Sequence, residues 1–78
     1  MKPAEIRTMT DERIAELLDE LPEEWRKLRF DRAVGRLQHT SRIGQIRRDI
    51  ARLKTIQTER EMERELAVEL AEREAEIG

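Results

Sequence analysis

The chain has 78 residues, of which 44% are charged and 37% hydrophobic, and its formal net charge at pH 7 is −2. This length supports one domain at most, and so few apolar residues argue against a thick globular core. With no cysteine, the sequence excludes disulfides, thiolate metal sites and cysteine nucleophiles. No segment has the apolar character of a membrane span or signal peptide, so we predict a cytoplasmic protein.

The small net charge conceals three blocks of opposite sign. Residues 26–54 contain ten basic and two acidic side chains, a net charge of +8. Residues 1–25 and residues 59–78 each contain three basic and eight acidic side chains, a net charge of −5 in each block. A basic middle segment is compatible with a nucleic-acid partner, but mixed charge alone does not establish one.

A short helical turn is predicted over residues 2–7, where Pro3 is tolerated because a first-turn N–H has no intrahelical partner. Thr10 is the predicted N-cap of a long helix over residues 11–34, and Asp11 and Glu12 follow where the helix dipole favours negative charge. The apolar stripe of this helix recurs every three or four residues. It comprises Ile14, Leu17, Leu18, Leu21, Trp25 and Leu28.

Pro22 lies inside this stripe, where it removes one backbone hydrogen bond and crowds the preceding turn. Two interpretations are open. Either the helix kinks, or it stops and restarts with Pro22 in the first turn of a new helix. The stripe keeps its phase from Leu21 to Trp25, and this continuity favours a kink in one helix.

Residues 35–41 are predicted to connect the first long helix to a second one over residues 42–64. Gly35 suits the left-handed position that ends a helix, and His39, Thr40 or Ser41 can cap the helix that follows. The second helix has its own apolar stripe, formed by Ile43, Ile46, Ile50 and Leu53. Two helices with a short connection pack side by side, so the predicted fold class is all-α, an antiparallel two-helix hairpin.

The chain continues beyond the point where the first helix could cover the second. Residues 62–78 have good helix propensity but little apolar surface, and a frayed helix, a short coiled-coil contact and disorder all remain open. We therefore predict a hairpin over residues 1–61 and a helical or frayed acidic extension over residues 62–78. So thin a core predicts marginal stability and a partner that increases it.

A helical wheel of the second long helix predicts where chemistry could occur. The side opposite its apolar stripe carries Gly44, Arg48, Ala51, Arg52 and Thr55, and Arg47 and Lys54 share one flank. Small residues between arginines would let a phosphate backbone approach closely, and arginine forks bind phosphate oxygens. The alternative interpretation is an ordinary solvated face.

The first long helix adds four arginines, which are Arg26, Arg29, Arg32 and Arg36. Phe30, Ala33 and Leu37 lie away from its stripe. They indicate a phase change after Pro22, contact with the turn, or an outward apolar patch that contacts a partner. His39 has no ligand or nucleophile cluster around it. Because the sequence has no phosphate-binding loop, dinucleotide motif or metal-ligand spacing, we predict no enzyme, no cofactor and no metal.

Residues 28–55, LRFDRAVGRLQHTSRIGQIRRDIARLKT, resemble bacterial large-subunit ribosomal protein twenty-nine. The positions that carry the resemblance are Leu28, Arg29, Phe30, Ala33, Gly35, Leu37 and the run RRDIARLKT at residues 47–55. The opening MKPAEIR and the helix start at Thr10 are also similar, and the resemblance covers residues 1–61 without a gap. The RRDIARLKT run with Gly35 at this distance upstream is a specific signature.

The resemblance implies a structural constituent of the large ribosomal subunit that binds large-subunit ribosomal RNA near the peptide exit tunnel and supports translation. It implies contact with neighbouring large-subunit proteins, protein twenty-three among them, and nascent-chain factors nearby, with no membrane or small-molecule partner. The candidate RNA-binding residues are Arg29, Arg32, Arg36, Arg42, Arg47, Arg48, Arg52 and Lys54. Phe30 and Leu37 are the candidate partner contacts.

The chain departs from the family pattern in several respects. Pro22 replaces a good helix former, Gly44 weakens the start of the second helix, and the chain is acidic overall where the family is basic. We expect the acidic tail to project into solvent or to contact a neighbouring protein, because its charge would be repelled by RNA. The alternative function is a helical-hairpin or coiled-coil protein–protein module without RNA binding, whose arginines pair with its own glutamates.

Overall fold

The computed structural model describes residues 1–37 and 40–77, so the predicted turn role of His39 lies outside the described residues. It contains three helices, α1 (Pro3–Arg7), α2 (Asp11–Ala33) and α3 (Ser41–Ile77). α2 packs along the first part of α3, and α1 packs on α3 beside the start of α2. The molecule is a rod of 66 × 20 × 16 Å. The predicted all-α helical hairpin is confirmed.

α1 is the predicted N-terminal helical turn, with Pro3 at its first position. Ile6 on this helix is fully buried. The Arg60 side chain donates hydrogen bonds to the backbone carbonyls of Ile6 and Arg7 at 3.4 and 3.2 Å. Both carbonyls lie at the end of the helix, and the Ile6 carbonyl also accepts a hydrogen bond from the backbone N–H of Met9 at 3.0 Å. α1 is therefore fixed to α3 by both packing and hydrogen bonds.

α2 begins at the predicted N-cap. The hydroxyl oxygen of Thr10 accepts a hydrogen bond from the backbone N–H of Arg13 at 3.2 Å, which satisfies one of the free donors of the first turn. The helix then runs without interruption through Pro22 to Ala33. The stop-and-restart interpretation is therefore excluded, and α2 ends one residue before the predicted limit.

Gly35 ends α2 in the left-handed conformation that the sequence predicted, with φ of +77°. The backbone N–H of Arg36 donates to the carbonyl of Asp31 at 2.8 Å, and that of Gly35 donates to the carbonyl of Arg32 at 3.1 Å. This pair of hydrogen bonds defines a Schellman motif. It satisfies two carbonyls of the last turn and directs the chain away from the helix axis.

α3 is one helix of 37 residues, and the acidic extension continues it without a break. The extension is therefore helical as far as Ile77. α2 and α3 run in opposite directions, since Arg42 at the start of α3 pairs with Glu24 while Arg60 pairs with Asp11 at the start of α2. Arg64 also pairs with Asp11, the first residue of α2. Beyond Arg64, α3 extends past the start of α2 and does not pack against it. Large apolar side chains there are exposed, namely Leu66, Val68 and Leu70.

The core is a single row of apolar side chains between the helices. Its fully buried members are Ile6, Ile14, Ile46 and Leu53, and Leu17, Leu21, Ile43 and Ile56 are nearly so. Leu18, Trp25, Leu28 and Ile50 from the predicted stripes are partly buried at its edges. Asp49 is 5% exposed, and its carboxylate accepts a hydrogen bond from the α-amine of Met1 at 3.0 Å. This ion pair anchors the N-terminal segment on α3.

Candidate nucleic-acid interface

Two adjoining depressions between α2 and α3 lie near the turn, and together we call them the basic groove. The larger, of about 610 Å³, is lined by Trp25, Arg29, Arg32, Thr40, Ile43, Gly44 and Arg47. The smaller is lined by Pro22, Trp25, Arg26, Arg47, Ile50 and Lys54. Trp25 and Arg47 line both, so the two depressions form one continuous surface along the seam between the helices.

Helix periodicity explains why these side chains meet. On α2, residues 22, 25, 29 and 32 are separated by three or four positions and share one face. On α3, residues 43, 47, 50 and 54 do the same. Ile43 and Ile50 belong to the apolar stripe and turn this face towards α2, so Arg47 and Lys54 lie at the edge of the seam opposite the arginines of α2.

The basic groove carries one sign of charge. Five cationic side chains line it, which are Arg26, Arg29, Arg32, Arg47 and Lys54, and no carboxylate belongs to its walls in the described part of the chain. Cations gathered along a concave surface raise the local positive potential more than the same charges dispersed over a convex one. The arrangement suits a polyanion that can meet several cations at once.

Trp25 provides the apolar wall of the groove. The guanidinium carbon of Arg29 lies 4.7 Å from the centroid of the Trp25 ring, within the range of a cation–π contact. This contact restricts the rotamers of Arg29 while leaving the guanidinium exposed. The indole Nε1 of Trp25 is buried and has no hydrogen-bond acceptor among the described residues. Trp25 thus orders one edge of the groove.

The structure divides the eight predicted RNA-binding residues into groups. Four of them line the basic groove, which are Arg29, Arg32, Arg47 and Lys54. Arg36 is exposed just beyond the end of α2. Arg42 forms an ion pair with Glu24 at 3.1 Å. Within residues 1–37 and 40–77, it is the one member of the eight that pairs with a carboxylate.

The small-residue side of α3 is not one continuous surface. Gly44 lines the basic groove, whereas Ala51 and Thr55 line a separate depression against Pro3 of α1. Arg52 lines that second depression too and donates a hydrogen bond to the backbone carbonyl of Met1. The helical wheel could not predict this, because it represented the second long helix alone and not the docking of α1 on it. Arg48 is exposed.

The two predicted partner contacts lie at the turn end of the hairpin. Phe30 is 61% exposed and Val34, one turn later, is 49% exposed, while Leu37 is partly buried. α2 is continuous through Pro22, so Phe30 does not belong to a separate second helix with a different face turned towards the core. An outward apolar patch is therefore present, and its contact with a partner remains a prediction.

Sequence reasoning missed two residues of the groove. Trp25 was assigned only to the apolar stripe, and Arg26 was noted but left out of the candidate set. The signal was available, since Arg26 lies one turn after Pro22, and Trp25 and Arg29 are one turn apart. What the sequence lacked was the position of α3, which brings Arg47 and Lys54 beside them.

The opposite end of the hairpin is held by charge pairs. Arg60 donates a hydrogen bond to the carboxylate of Asp11 at 2.8 Å, and Arg64 donates another to the same carboxylate. These hydrogen bonds, from Arg60 first and Arg64 second, hold the pKa of the Asp11 carboxyl below its ordinary value of 3.8. Arg60 and Arg64 are therefore both engaged in ion pairs within the molecule.

Other kinds of site find no support in the described residues. None of the helices there combines the length with the apolar character that crossing a bilayer requires. The same residues hold no group of three or more histidine, aspartate or glutamate side chains placed to bind a metal ion. Among the described features, the basic groove is the one that gathers several predicted site residues.

Comparison with known proteins provides a family and several relatives. The family described as "Ribosomal L29 protein" matches residues 4–60. The chain is 50% identical over 62 residues to "Large ribosomal subunit protein uL29" of Natranaerobius thermophilus, which covers 80% of this chain and 95% of the relative. Proteins of the same name from Geobacillus stearothermophilus and Thermotoga maritima are 50% and 48% identical over 62 residues, covering 80% of this chain and 94% of each relative.

Proposed function

The chain belongs to the ribosomal L29 family, and we propose on that basis that it is a structural constituent of the large ribosomal subunit that binds large-subunit ribosomal RNA near the peptide exit tunnel. The observation that carries the RNA contact is the basic groove, with five cations and no lining carboxylate. The family is one of structural proteins, and we assign the chain no catalytic role, cofactor or small-molecule substrate.

Binding in the groove relies on charge and shape. Guanidinium groups donate to phosphate oxygens, often two at a time, and RNA helices are recognised mainly through backbone and groove shape. α2 and α3 hold the donors on two rigid walls, and stacking on Trp25 restrains Arg29 before RNA arrives. Less side-chain entropy is then lost on binding, which favours a preformed hairpin.

RNA binding would also stabilise the hairpin. Five like charges along one groove repel one another in the free protein, and phosphates remove that repulsion. A ligand that binds only the folded state adds to its stability by mass action. The thin core and the like-charged groove thus fit a protein whose stability increases on assembly.

The remaining partners follow from where the other surfaces lie. Phe30 and Val34 are exposed at the turn end next to the basic groove, so an apolar neighbour there could be another large-subunit protein, with protein twenty-three the expected one. Nascent-chain factors are expected close by. The acidic extension points away from the groove, consistent with a surface that does not contact RNA. The location that fits these partners is cytoplasmic and ribosome-bound.

The alternative function, a protein–protein module whose arginines pair with its own glutamates, has less support. Of the eight candidate cations, all within the described residues, Arg42 alone forms such a pair, with Glu24. The cations of the basic groove face no carboxylate of the chain. A groove of unpaired cations is better suited to an external polyanion.

Sedimentation of cell lysate on a gradient tests the proposal. We expect the protein to travel with the large subunit at moderate salt and to remain there after a high-salt wash. Changing Arg29 and Arg47 to Gln should release much of it into the soluble fractions. Changing Arg7 and Arg13 to Gln removes the same charge outside the groove and should release little.

Two results would contradict the proposal. Wild-type protein at the top of the gradient would exclude stable assembly into the subunit. Equal release of the Arg29/Arg47 and Arg7/Arg13 variants would mean that the basic groove has no special role in the RNA contact.

A further inference from the structure

The last part of α3 is a helix without an intramolecular partner, and we call it the tail helix (residues 65–77). Leu66, Val68 and Leu70 are 57%, 57% and 49% exposed. Leu66 and Leu70 are one turn apart and share one face of the helix, whereas Val68 lies on the other side. Large apolar side chains in line on one projecting helix indicate a contact surface more strongly than the same residues dispersed over a protein. The position of the tail helix shows that α2 does not supply this contact.

The charge of the tail helix limits what can cover it. Its residues include five glutamates and one arginine, a net charge of −4. Glu65 and Glu69 line the same shallow depression as Met62, Leu66 and Val68. Arg64 lines it as well but is paired with Asp11, so the unpaired charges along this apolar surface are carboxylates. A partner for it needs an apolar floor and a cationic border, and packing two tail helices together would bring carboxylates against carboxylates.

The basic groove of the same protein has these properties. Its floor includes Trp25, Ile43 and Ile50, and its border consists of five cations without a carboxylate. The lengths also correspond. At about 1.5 Å per residue, the tail helix is roughly 20 Å long, and the wall of the groove from Thr40 to Lys54 is roughly 21 Å long.

The tail helix cannot enter the groove of its own chain. α3 is one continuous helix, the groove lies along its first part, and the tail helix extends past the opposite end of the hairpin. We therefore propose that a second copy of this chain pairs with the first in an antiparallel dimer, each tail helix lying in the basic groove of the other. Such a pair is symmetric, so both contacts form together.

The pairing has a consequence for the free protein. It covers the exposed leucines of the tail helix and neutralises the cations of the groove before assembly. RNA and the second copy would compete for the same cations, so RNA binding would separate the dimer. The pairing itself requires no RNA, and its test is therefore independent of the proposed function.

Analytical ultracentrifugation of the full chain without RNA tests the dimer. We expect a dimer at low salt that becomes a monomer near 1 M salt, where the Debye length is about 3 Å. A groove variant, Arg29→Glu with Arg47→Glu, and a tail variant, Glu65→Arg with Glu69→Arg, should each be monomeric alone. Mixed in equal amounts they should form a heterodimer. The unchanged groove of the tail variant then meets the unchanged tail of the groove variant, and the introduced glutamates of the other groove meet the introduced arginines of the other tail.

The control reverses the same number of charges elsewhere, with Glu12→Arg and Glu20→Arg on α2, and should remain dimeric at low salt. Circular dichroism checks that each variant is helical. If the groove variant loses its helices, Arg29→Gln with Arg47→Gln replaces it. We expect that milder change to weaken the dimer at least about fourfold, since four exposed ion pairs are lost in each dimer.

Three results would overturn the inference. A wild-type chain that is monomeric at low salt would mean that the tail helix has another partner or none. A groove variant that dimerises as well as wild type would point to contact between two tail helices. Helical groove and tail variants that remain monomeric when mixed would exclude the pairing of tail with groove.

Discussion

The two glycines at either side of the turn should respond oppositely to the same substitution. Gly35 has φ of +77° and no atom within 4 Å of where a Cβ would lie, so Gly35→Ala meets no steric obstacle. Its cost is the left-handed backbone alone, about 1–2 kcal/mol for a residue with a Cβ. Gly44 lies inside α3, where its Cβ would meet only the end of the Arg48 side chain at 4.0 Å. Gly44→Ala should therefore stabilise the hairpin by about 0.5–1 kcal/mol.

Thermal unfolding followed by the fluorescence of Trp25, the one tryptophan of the chain, measures both effects. For a domain of this size, 1 kcal/mol shifts Tm by about 4–8 °C. Gly35→Ala should lower Tm by about 4–16 °C, and Gly44→Ala should raise it by about 2–8 °C. Sodium sulfate, which strengthens apolar burial, keeps the hairpin folded at the start of the measurement. Shifts of the same sign would refute the reasoning.

The Gly44→Ala change should also affect the stability of the hairpin and its RNA binding in opposite directions. Gly44 lines the basic groove between Arg47 and Thr40, where a methyl group would stand between the protein and an approaching phosphate backbone. If RNA lies in the groove as proposed, Gly44→Ala should weaken RNA binding even though the hairpin becomes more stable. Stronger binding in proportion to the added stability would instead indicate that RNA does not approach this residue.

Three further changes follow from the same structure. Leu53→Ala, at a fully buried position, should cost about 2–5 kcal/mol in urea unfolding, whereas exposed Leu66→Ala should cost about 0.5 kcal/mol or less. Arg47→Gln should reduce the slope of log K against log salt for RNA binding by about 0.7–0.9, the contribution of one phosphate, and Arg13→Gln should leave the slope unchanged. The pKa of Asp11 is lowered by its hydrogen bonds from Arg60 and Arg64, so its contribution to stability is present above its unfolded pKa and lost as pH falls through the still lower folded pKa. Asp11→Asn should therefore reduce Tm at neutral pH and match wild type once pH is well below 3.8, and a difference that persists in acid would contradict this.

The parts of the fold that are determined by nearby residues could be predicted. The N-cap at Thr10 and the left-handed Gly35 depend on a few neighbouring residues, and both are confirmed. The two apolar stripes depend only on helix periodicity, and they form most of the core. Continuity through Pro22 was also foreseen, because the stripe keeps its phase on both sides of it.

The parts of the fold that depend on contacts between distant residues could not be predicted from the sequence. Ile6 and Ile56 complete the core, but neither belongs to a predicted stripe. Ile6 is buried because α1 docks on α3. The same docking turns Arg52 towards Met1 and gives Asp49 a charged partner. Periodicity within one helix contains no information about a short helix that arrives from the far end of the chain.

The cationic side chains that line the basic groove could be picked out by residue type, but their grouping into one concave surface could not be predicted from the sequence. Arginine on either side of the turn pointed to phosphate, and four of the eight candidates meet in one groove. The wheel favoured the face of Arg48 and Arg52, whereas the concave surface forms on the flank of Arg47 and Lys54. The reason is geometric, because a groove forms along the seam between two helices and not on the side of α3 that faces away from α2.

The hairpin converts the order of charges along the chain into a separation of charges in space. The basic block, residues 26–54, is centred on the turn, so folding brings its two halves side by side at one end of the rod. Both acidic blocks, distant in sequence, meet at the opposite end, where Asp11 pairs with Arg60. A rod 66 Å long with opposite charge at its two ends experiences a torque near a polyanion, which favours approach with the turn end first. The same separation leaves the tail helix of one molecule and the groove of another as complementary surfaces, so the feature that would orient the protein on RNA is also the one that would pair two free copies.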